Sequence, residues 1–532
     1  MGSKRAAGLA RHNTVFGSRR AAVAVATCVL VAGGSLTPGA VANAQGQRAR
    51  GADASGATLV IADTSSVQKL DPDVVTNFLD FQALGLIYDQ LVQYNNRLQL
   101  VADLATKWAY SDGNKVLTFQ LRQGVKFDDG TTFTSANVVQ SLERALNPKT
   151  ADASASFLAN VSKIVATGTY SVKFELSKPD TSILDGLTSV NLSMLSTKAM
   201  AAGTVAKTPD GTGPFMYSSW APNNSFVMTA NPSYWGGKVS IGSIKIETIP
   251  TEQSIASAVE AHTVQIGLLT EPQVALHLPK AIAVQKVLDL TYRALMLQDK
   301  SGPLANVDNR LAIACAVNRQ QVVEDSVFGA GQVVGPVPLG EFASKPVSAV
   351  CPTPNLATAK SYLQKAQDPG GFSFTAVTST DLDPTSAAQA IVVQGDLAKV
   401  GITMHISNLA SDAYIQDWLK GDFQGAFAWN GADPNPYTMY GRYFGTGANL
   451  GVPAGYSSPQ LQSLLAQGDA ATTMAAQRSI WSKFSDALTS NAVWIWLFTA
   501  YDYAAVSSSV HGFTLAPTNS TTLDSLRSAT FS

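Results

Sequence analysis

The residue patterns that usually carry enzymatic chemistry are sparse in this chain. The five histidines, His12, His262, His277, His405 and His511, stand far apart and show no metal-ligand spacing. No G-x-S-x-G, H-E-x-x-H or G-x-x-x-x-G-K-[ST] occurs. Gly445-Thr446-Gly447, followed by Gly451, has its last glycine one residue late for a nucleotide loop and reads as surface loop. These patterns indicate no catalytic residue, no metal and no cofactor. One segment, Trp429 to Tyr437, groups an aromatic ring with amide and carboxyl side chains. There, Trp429 offers a ring face for stacking, while Asn430 and Asp433 offer acceptor oxygens to hydroxyl groups.

Composition narrows the class. Hydrophobic residues make up 45% and charged residues 14%, which describes a core-forming globular chain rather than a disordered one. At 532 residues it is too long for one small domain, so two or three lobes are expected. The formal net charge is −1, and −6 (32 basic against 38 acidic residues) without the five basic residues before Ala44. A mildly acidic surface argues against nucleic acid as a partner, because phosphate binding needs a concentrated basic face.

The first residues read as an export leader. Lys4, Arg5, Arg11, Arg19 and Arg20 precede an apolar run from Ala21 to Ala32, and Val41-Ala42-Asn43-Ala44 supplies the small residues of a cleavage site. The run is too short to span a bilayer, which takes about 20 apolar residues. Ser18-Arg19-Arg20 also fits a twin-arginine export signal, and Cys28 after Val25-Ala26-Thr27 is a second candidate processing point, for lipid attachment. Beyond the leader only Cys315 and Cys351 remain, an even pair suited to one disulfide in an oxidising compartment or to two buried thiols. Residues 45–56 are Gly-, Ala- and Arg-rich without periodicity and read as a tether.

Downstream, periodicity locates the elements that must position Trp429 and its neighbours. Thr58–Ala62, Lys115–Leu121, Tyr170–Leu176, Ser225–Thr229 and Ile241–Ile249 alternate as strands. Phe78 to Val92 carries an apolar stripe at helical spacing, and Thr134 is placed to cap a helix through Leu146. Val307 to Val327 reads as one long amphipathic helix. Helices over Asn355–Ala366 and Ala387–Val400 then alternate with strands over Phe372–Val377 and Ile402–Ile406, a mixed α/β pattern. Val493–Leu497 reads as a further strand.

Four blocks carry a resemblance. The first runs from Ala102-Asp103-Leu104 through Trp108, Leu117–Arg122 and Gly124-Val125-Lys126-Phe127-Asp128-Asp129-Gly130 to Glu143-Arg144. The second is Gly211-Thr212-Gly213-Pro214-Phe215 with Asn231-Pro232-Ser233-Tyr234-Trp235-Gly236-Gly237. The third is Asn309-Arg310-Leu311-Ala312 through Ala316-Val317-Asn318-Arg319, and the fourth Trp429-Asn430-Gly431-Ala432-Asp433-Pro434-Asn435-Pro436-Tyr437. Their order resembles that of extracellular solute-binding protein family 5, the peptide, dipeptide and nickel binders of ABC importers.

The resemblance implies an α/β, periplasmic-binding-protein-like fold: two mixed α/β lobes with a hinge and an extra subdomain in the first lobe. It places the leader over 1–44 and the tether over 45–56. Lobe 1 then covers 57–297 with its extra subdomain at about 96–210, lobe 2 covers 298–493, and 494–532 returns to lobe 1. It implies a monomer, exported to the periplasm or cell surface, that takes a small solute or peptide between closing lobes and passes it to membrane permease subunits. Trp429, Asn430, Asp433 and Tyr437, with Asn77 and Phe78 from the first lobe, become the expected ligand contacts. One departure bears on the ligand. Peptide-binding members carry an aspartate three residues after the tryptophan, paired with the ligand's α-ammonium, where this chain has Ala432. Asp433 substitutes only if the backbone shifts, because adjacent side chains of an extended segment face opposite sides. Peptide, oligosaccharide and metal chelate are the three ligand classes; an envelope regulatory lipoprotein and a secreted hydrolase are the rival roles.

Overall fold

The computed structural model describes residues 57–345, 350–431, 433–518 and 522–532. The leader and tether expected over 1–56, Cys28 among them, and Ala432 lie outside the described residues.

Alternating burial builds the first lobe. Thr58–Asp63 buries Leu59 and Ile61 and runs parallel to both Ser243–Thr248 and Ile266–Leu269. Ser225–Ala230 and Phe215–Ala221 continue the sheet antiparallel. Leu59, Ile61, Phe226, Met228 and Ile244 pack with Leu79 and Leu84 of the Phe78–Leu84 helix into one core. An antiparallel four-stranded sheet, in the order Ala105–Ser111, Val116–Leu121, Ser171–Leu176, Val161–Gly168, forms a separate layer. Leu117, Phe119 and Phe174 of that sheet pack with Val138 and Leu142 of the Ser135–Leu146 helix. Thr134 is the N-cap of this helix, as expected, in a capping box in which Asn137 Oδ1 accepts the Thr134 N–H at 2.9 Å.

In the second lobe Thr403–Asn408, Ser373–Thr378, Gly425–Gly431 and Thr291–Leu297 lie side by side. Successive residues of Thr291–Leu297 enter different cores, as strand geometry requires. Leu295 and Leu297 pack with helices Val307–Ala316, Leu356–Lys365 and Ser386–Ala398 on one face. Tyr292, Ala294 and Met296 pack with Pro436–Phe444, Pro459–Ala470 and Met474–Ser490 on the other.

Two paired segments join the lobes. Ala283–Leu288 and Thr291–Leu297 both run antiparallel to the 13-residue strand Trp494–Val506, with Ala283 opposite Val506 and Met296 opposite Trp494. The break between them falls at Asp289 and Leu290. There the Thr499 hydroxyl donates to the backbone oxygens of Asp289 (2.6 Å) and Thr291 (2.5 Å).

Two expected helices are corrected. The stripe from Phe78 to Val92 is helical only over Phe78–Leu84. Beyond it the chain bonds to the Gly211–Phe215 segment instead: Gly213 N–H donates to Ile87 O at 2.8 Å and Phe215 N–H to Leu86 O at 3.1 Å. A Cβ at Gly211 or Gly213 would lie 2.0 or 2.6 Å from those carbonyl oxygens, so the approach requires glycine. Val307 to Val327 is two helices, Val307–Ala316 and Arg319–Val327. Val317 is extended, and Asn318 caps the second helix through the Gln321 N–H at 3.2 Å. A disulfide joins Cys315 and Cys351, Cα atoms 5.2 Å apart, on the first helix's side of the sheet.

Candidate functional site

The Gly425–Gly431 strand carries the tryptophan at an exposed position. Trp429 stands opposite Arg293 and is 45% exposed, with its indole N–H donating to Leu382 O at 3.2 Å. Asn430 faces the opposite way. Its oxygen accepts the Tyr443 hydroxyl and its nitrogen lies 3.7 Å from Met296 Sδ. The two side chains therefore serve different faces, and Asn430 is engaged inside lobe 2.

Asp433 and Tyr437 lie where lobe 2 meets the extra subdomain. Asp433 accepts the Asn435 N–H at 2.8 Å, and Asn435 caps the Pro436–Phe444 helix while its amide donates to Asp185 across the interface. The Tyr94 hydroxyl donates to the same Asp185. Nearby, Thr181 N–H and hydroxyl donate to Asp469 O (2.9 and 2.8 Å), and Ser182 N–H to Asp469 Oδ1 at 3.1 Å. A cavity of about 690 Å³ opens beside these contacts, walled by Tyr94, Trp108, Tyr110 and Asp185 on one side and Glu341 and Asn435 on the other. Tyr437 stands near Asp180 and Asp469; burial pushes its hydroxyl up to about 12.

Two carboxyl pairs thus meet across the interface, Asp180 with Asp469 and Asp185 with Asp433. Among the described residues no ion pair reaches any of the four. Burial, then the facing carboxylate, raises Asp469 to about 8, and burial raises Asp433 to about 7; Asp185 is raised for both reasons. Lys178 and Arg442 oppose these shifts only in part, and Tyr94, Tyr110, Tyr437 and Glu341 add no cation. A carboxyl raised by a contact binds its proton more tightly in that contact. The stabilisation is therefore complete below the ordinary value of 3.8, falls as pH rises, and is lost at about 8. Amide exchange at Thr181 and Ser182, corrected for intrinsic rates, should show less protection at pH 9 than at pH 6. Equal protection at both would contradict the pairing.

At the hinge, Asn77 is the cap of its helix, accepting the Leu79 N–H at 2.9 Å. Phe78 beside it is 49% exposed and covers a smaller cavity of about 170 Å³. Arg293 lies 3.8 Å from Asp383 and over the Phe498 ring at 5.8 Å. The structure therefore divides the six expected contacts. Trp429 and Phe78 expose ring faces, Asp433 and Tyr437 border the subdomain interface, and Asn430 and Asn77 are spent on local structure. Sequence reasoning missed Asp180, Asp185, Asp289, Asp469 and Asp502. Only Asp502 had a readable signal, a lone charge inside the apolar strand Trp494–Val506.

Two α/β lobes on paired crossing strands, with a cavity opening where the extra subdomain meets lobe 2, define a bilobal binding protein. The family follows from the sequence match: the model described as "Bacterial extracellular solute-binding proteins, family 5 Middle" matches residues 99–451, and the chain belongs to that family. Its family is one of exported binding proteins rather than enzymes. The chain is 28% identical over 479 residues to the probable D,D-dipeptide-binding periplasmic protein DdpA of Escherichia coli K12, covering 86% of this chain and 92% of that one. In fold it is similar to the ABC transporter substrate-binding protein CtaP of Listeria monocytogenes (TM-score 0.80, 15% identity, 90% of this chain and 99% of that one). It is also similar to HbpA2 of Haemophilus parasuis (TM-score 0.77, 22% identity, 90% and 100%).

Proposed function

We propose that this chain captures a short peptide between its two lobes and delivers it, as a monomer exported by the leader over residues 1–44, to the permease of an ABC importer. The observation that carries the reading is the cavity of about 690 Å³ between the extra subdomain and lobe 2. Its volume falls in the range of about 300–1,000 Å³ typical of small-ligand sites. A peptide brings an α-ammonium that needs a carboxylate partner once it leaves water. Asp185 lines the cavity and Asp433 stands beside it, so the role Ala432 cannot fill has two nearby candidates. The names of relatives point the same way, among them a dipeptide-binding protein of Escherichia coli, 25% identical over 428 residues.

Calorimetry with a panel of di- and tripeptides tests the reading, with small-angle scattering to follow closure as a fall in radius of gyration. Trp429→Ala should weaken the best peptide by about 2 kcal/mol, the loss of a buried aromatic anchor, while leaving the unfolding midpoint in place. Unchanged affinity removes Trp429 from the site. Binding of oligosaccharides with no response to any peptide overturns the peptide assignment.

A further inference from the structure

The smaller cavity, about 170 Å³ under Phe78, differs in kind from the larger one. Phe78, Leu268 and Leu515 give it apolar walls, and three carboxyl side chains line it: Asp63, Glu252 and Asp502. Among the described residues no lysine or arginine lines it. Lys286 is close in sequence to the hinge but does not line the cavity. It stands opposite Tyr503 in the ladder, one position from the Val287–Asp502 pair, and its ammonium lies 4.7 Å over the Tyr501 ring. Arg293, the nearest cation acting on Asp502, is turned to Asp383 and Phe498.

A separate observation points to a ligand. Gln82 also lines this cavity, is only 7% exposed, and its carboxamide oxygen has no hydrogen-bond partner. A buried acceptor left without a donor costs about 1–3 kcal/mol. Glu252 is held in place by Thr270 N–H and hydroxyl (both 2.8 Å) and Glu271 N–H (2.9 Å), so its charge is fixed at the wall. Asp502 is raised to about 8 by burial and by Asp289, and burial raises Asp63. The unmet polar demand is thus for donors and positive charge, while Phe78, Leu79, Leu268, Leu269 and Leu515 offer apolar contact to a methylene stem. An ammonium on an alkyl chain supplies three donors, no acceptor and an apolar stem. The half-exposed Phe78 ring adds a face that attracts a cation.

We propose that this cavity seats a primary alkylammonium group, as at the end of a lysine or ornithine side chain, with Asp502, Asp63 and the Gln82 oxygen receiving its N–H donors. The proposal rests on the peptide-capture reading and adds to it a preference for basic solutes.

The test compares Ala-Lys, its uncharged counterpart Ala-norleucine, and free 1,5-diaminopentane, each titrated into the full chain and into the Asp502→Asn and Asp63→Asn variants. Thermal unfolding of each variant separates misfolding from lost binding, and the two variants substitute for one another if either fails to fold. The expected result is Ala-Lys bound at least about tenfold tighter than Ala-norleucine, the worth of a hydrogen bond to a charged group, with the preference reduced to about threefold or less in each folded variant. Equal affinity of the two peptides for the unaltered chain overturns the seat and leaves the peptide reading standing. A preference that survives both variants overturns the residue assignment. Diaminopentane binding that Asp502→Asn abolishes, without binding of either peptide, supports the seat and overturns the peptide reading. No binding by any of the three overturns both.

Discussion

Arg527→Ala should destabilise the chain by about 3–5 kcal/mol, the loss seen when one partner of a buried ion pair is removed. Arg527 comes from the last turn before the C-terminus, yet it reaches Asp89 Oδ1 at 2.7 Å and Gly85 O at 2.7 Å in the first lobe. The Asp89 side chain is fully buried. Its other oxygen takes the Thr212 hydroxyl at 2.9 Å and the Trp235 indole N–H at 2.8 Å. Truncation leaves that carboxylate without its cation, close to Asp103, whose own carboxyl is pushed well up by burial and by Asp89. Urea unfolding followed by tryptophan fluorescence measures the effect, and Arg527→Lys should recover part of it, keeping the charge but losing the forked geometry. A loss under about 1 kcal/mol for the alanine variant would show that the network is dispensable.

Removing the disulfide should have an effect of similar size. Cys315 and Cys351 are 36 residues apart, and loop-closure entropy for that separation corresponds to about 4 kcal/mol. The bond fastens the end of the Val307–Ala316 helix to the segment leading into Leu356–Lys365, where Asn355 N–H also donates to Cys315 O at 2.8 Å. The Cys315→Ala/Cys351→Ala double variant avoids placing a hydroxyl in the core that both sulfurs occupy. Its guanidinium unfolding curve should shift to lower denaturant, with the second lobe melting first; a single transition at the unaltered midpoint would deny the bond a stabilising role. Dithiothreitol should reproduce the shift in the parent chain and have no effect on the variant.

Legibility in the sequence followed the range of the interactions. Strands such as Val116–Leu121 and Thr403–Asn408 declare themselves by alternation, and Asn355 marks a helix start through a local cap, whereas the equally local cap at Asn318 is passed over when Val307 to Val327 is read as one helix. The helix ending at Leu84 was misjudged because its stop comes from Gly211 and Gly213, more than a hundred residues later. The candidate site residues divide likewise. Trp429 and Phe78 stand out as large aromatics in family blocks or at a helix start. Asp185 and Asp469 are ordinary surface-type residues in sequence, and only the packing of the extra subdomain on lobe 2 buries them together.

The paired crossing segments set the mechanics of the molecule. Ala283–Leu297 and Trp494–Val506 form the crossing ribbon of a wider sheet, its rungs backbone hydrogen bonds, with a break at Asp289 and Leu290 that the Thr499 hydroxyl spans, a register shift between Arg293 and Ala294, and further pairing of Trp494–Val506 with Ile266–Leu269 and Gly331–Val333. Such a ribbon behaves as a torsion spring. It twists and bends with its rungs intact, because strand pairs tolerate a wide range of twist, but it resists shear, since sliding one strand along the other by a residue would invert every side chain's facing. The backbone pairing at this crossing therefore favours rotation of the lobes over sliding of one past the other. Surfaces far from the ribbon, such as the subdomain contact at Asp469, sweep a long arc, while Asp289, Arg293 and Asp502 at the pivot keep nearly constant spacing.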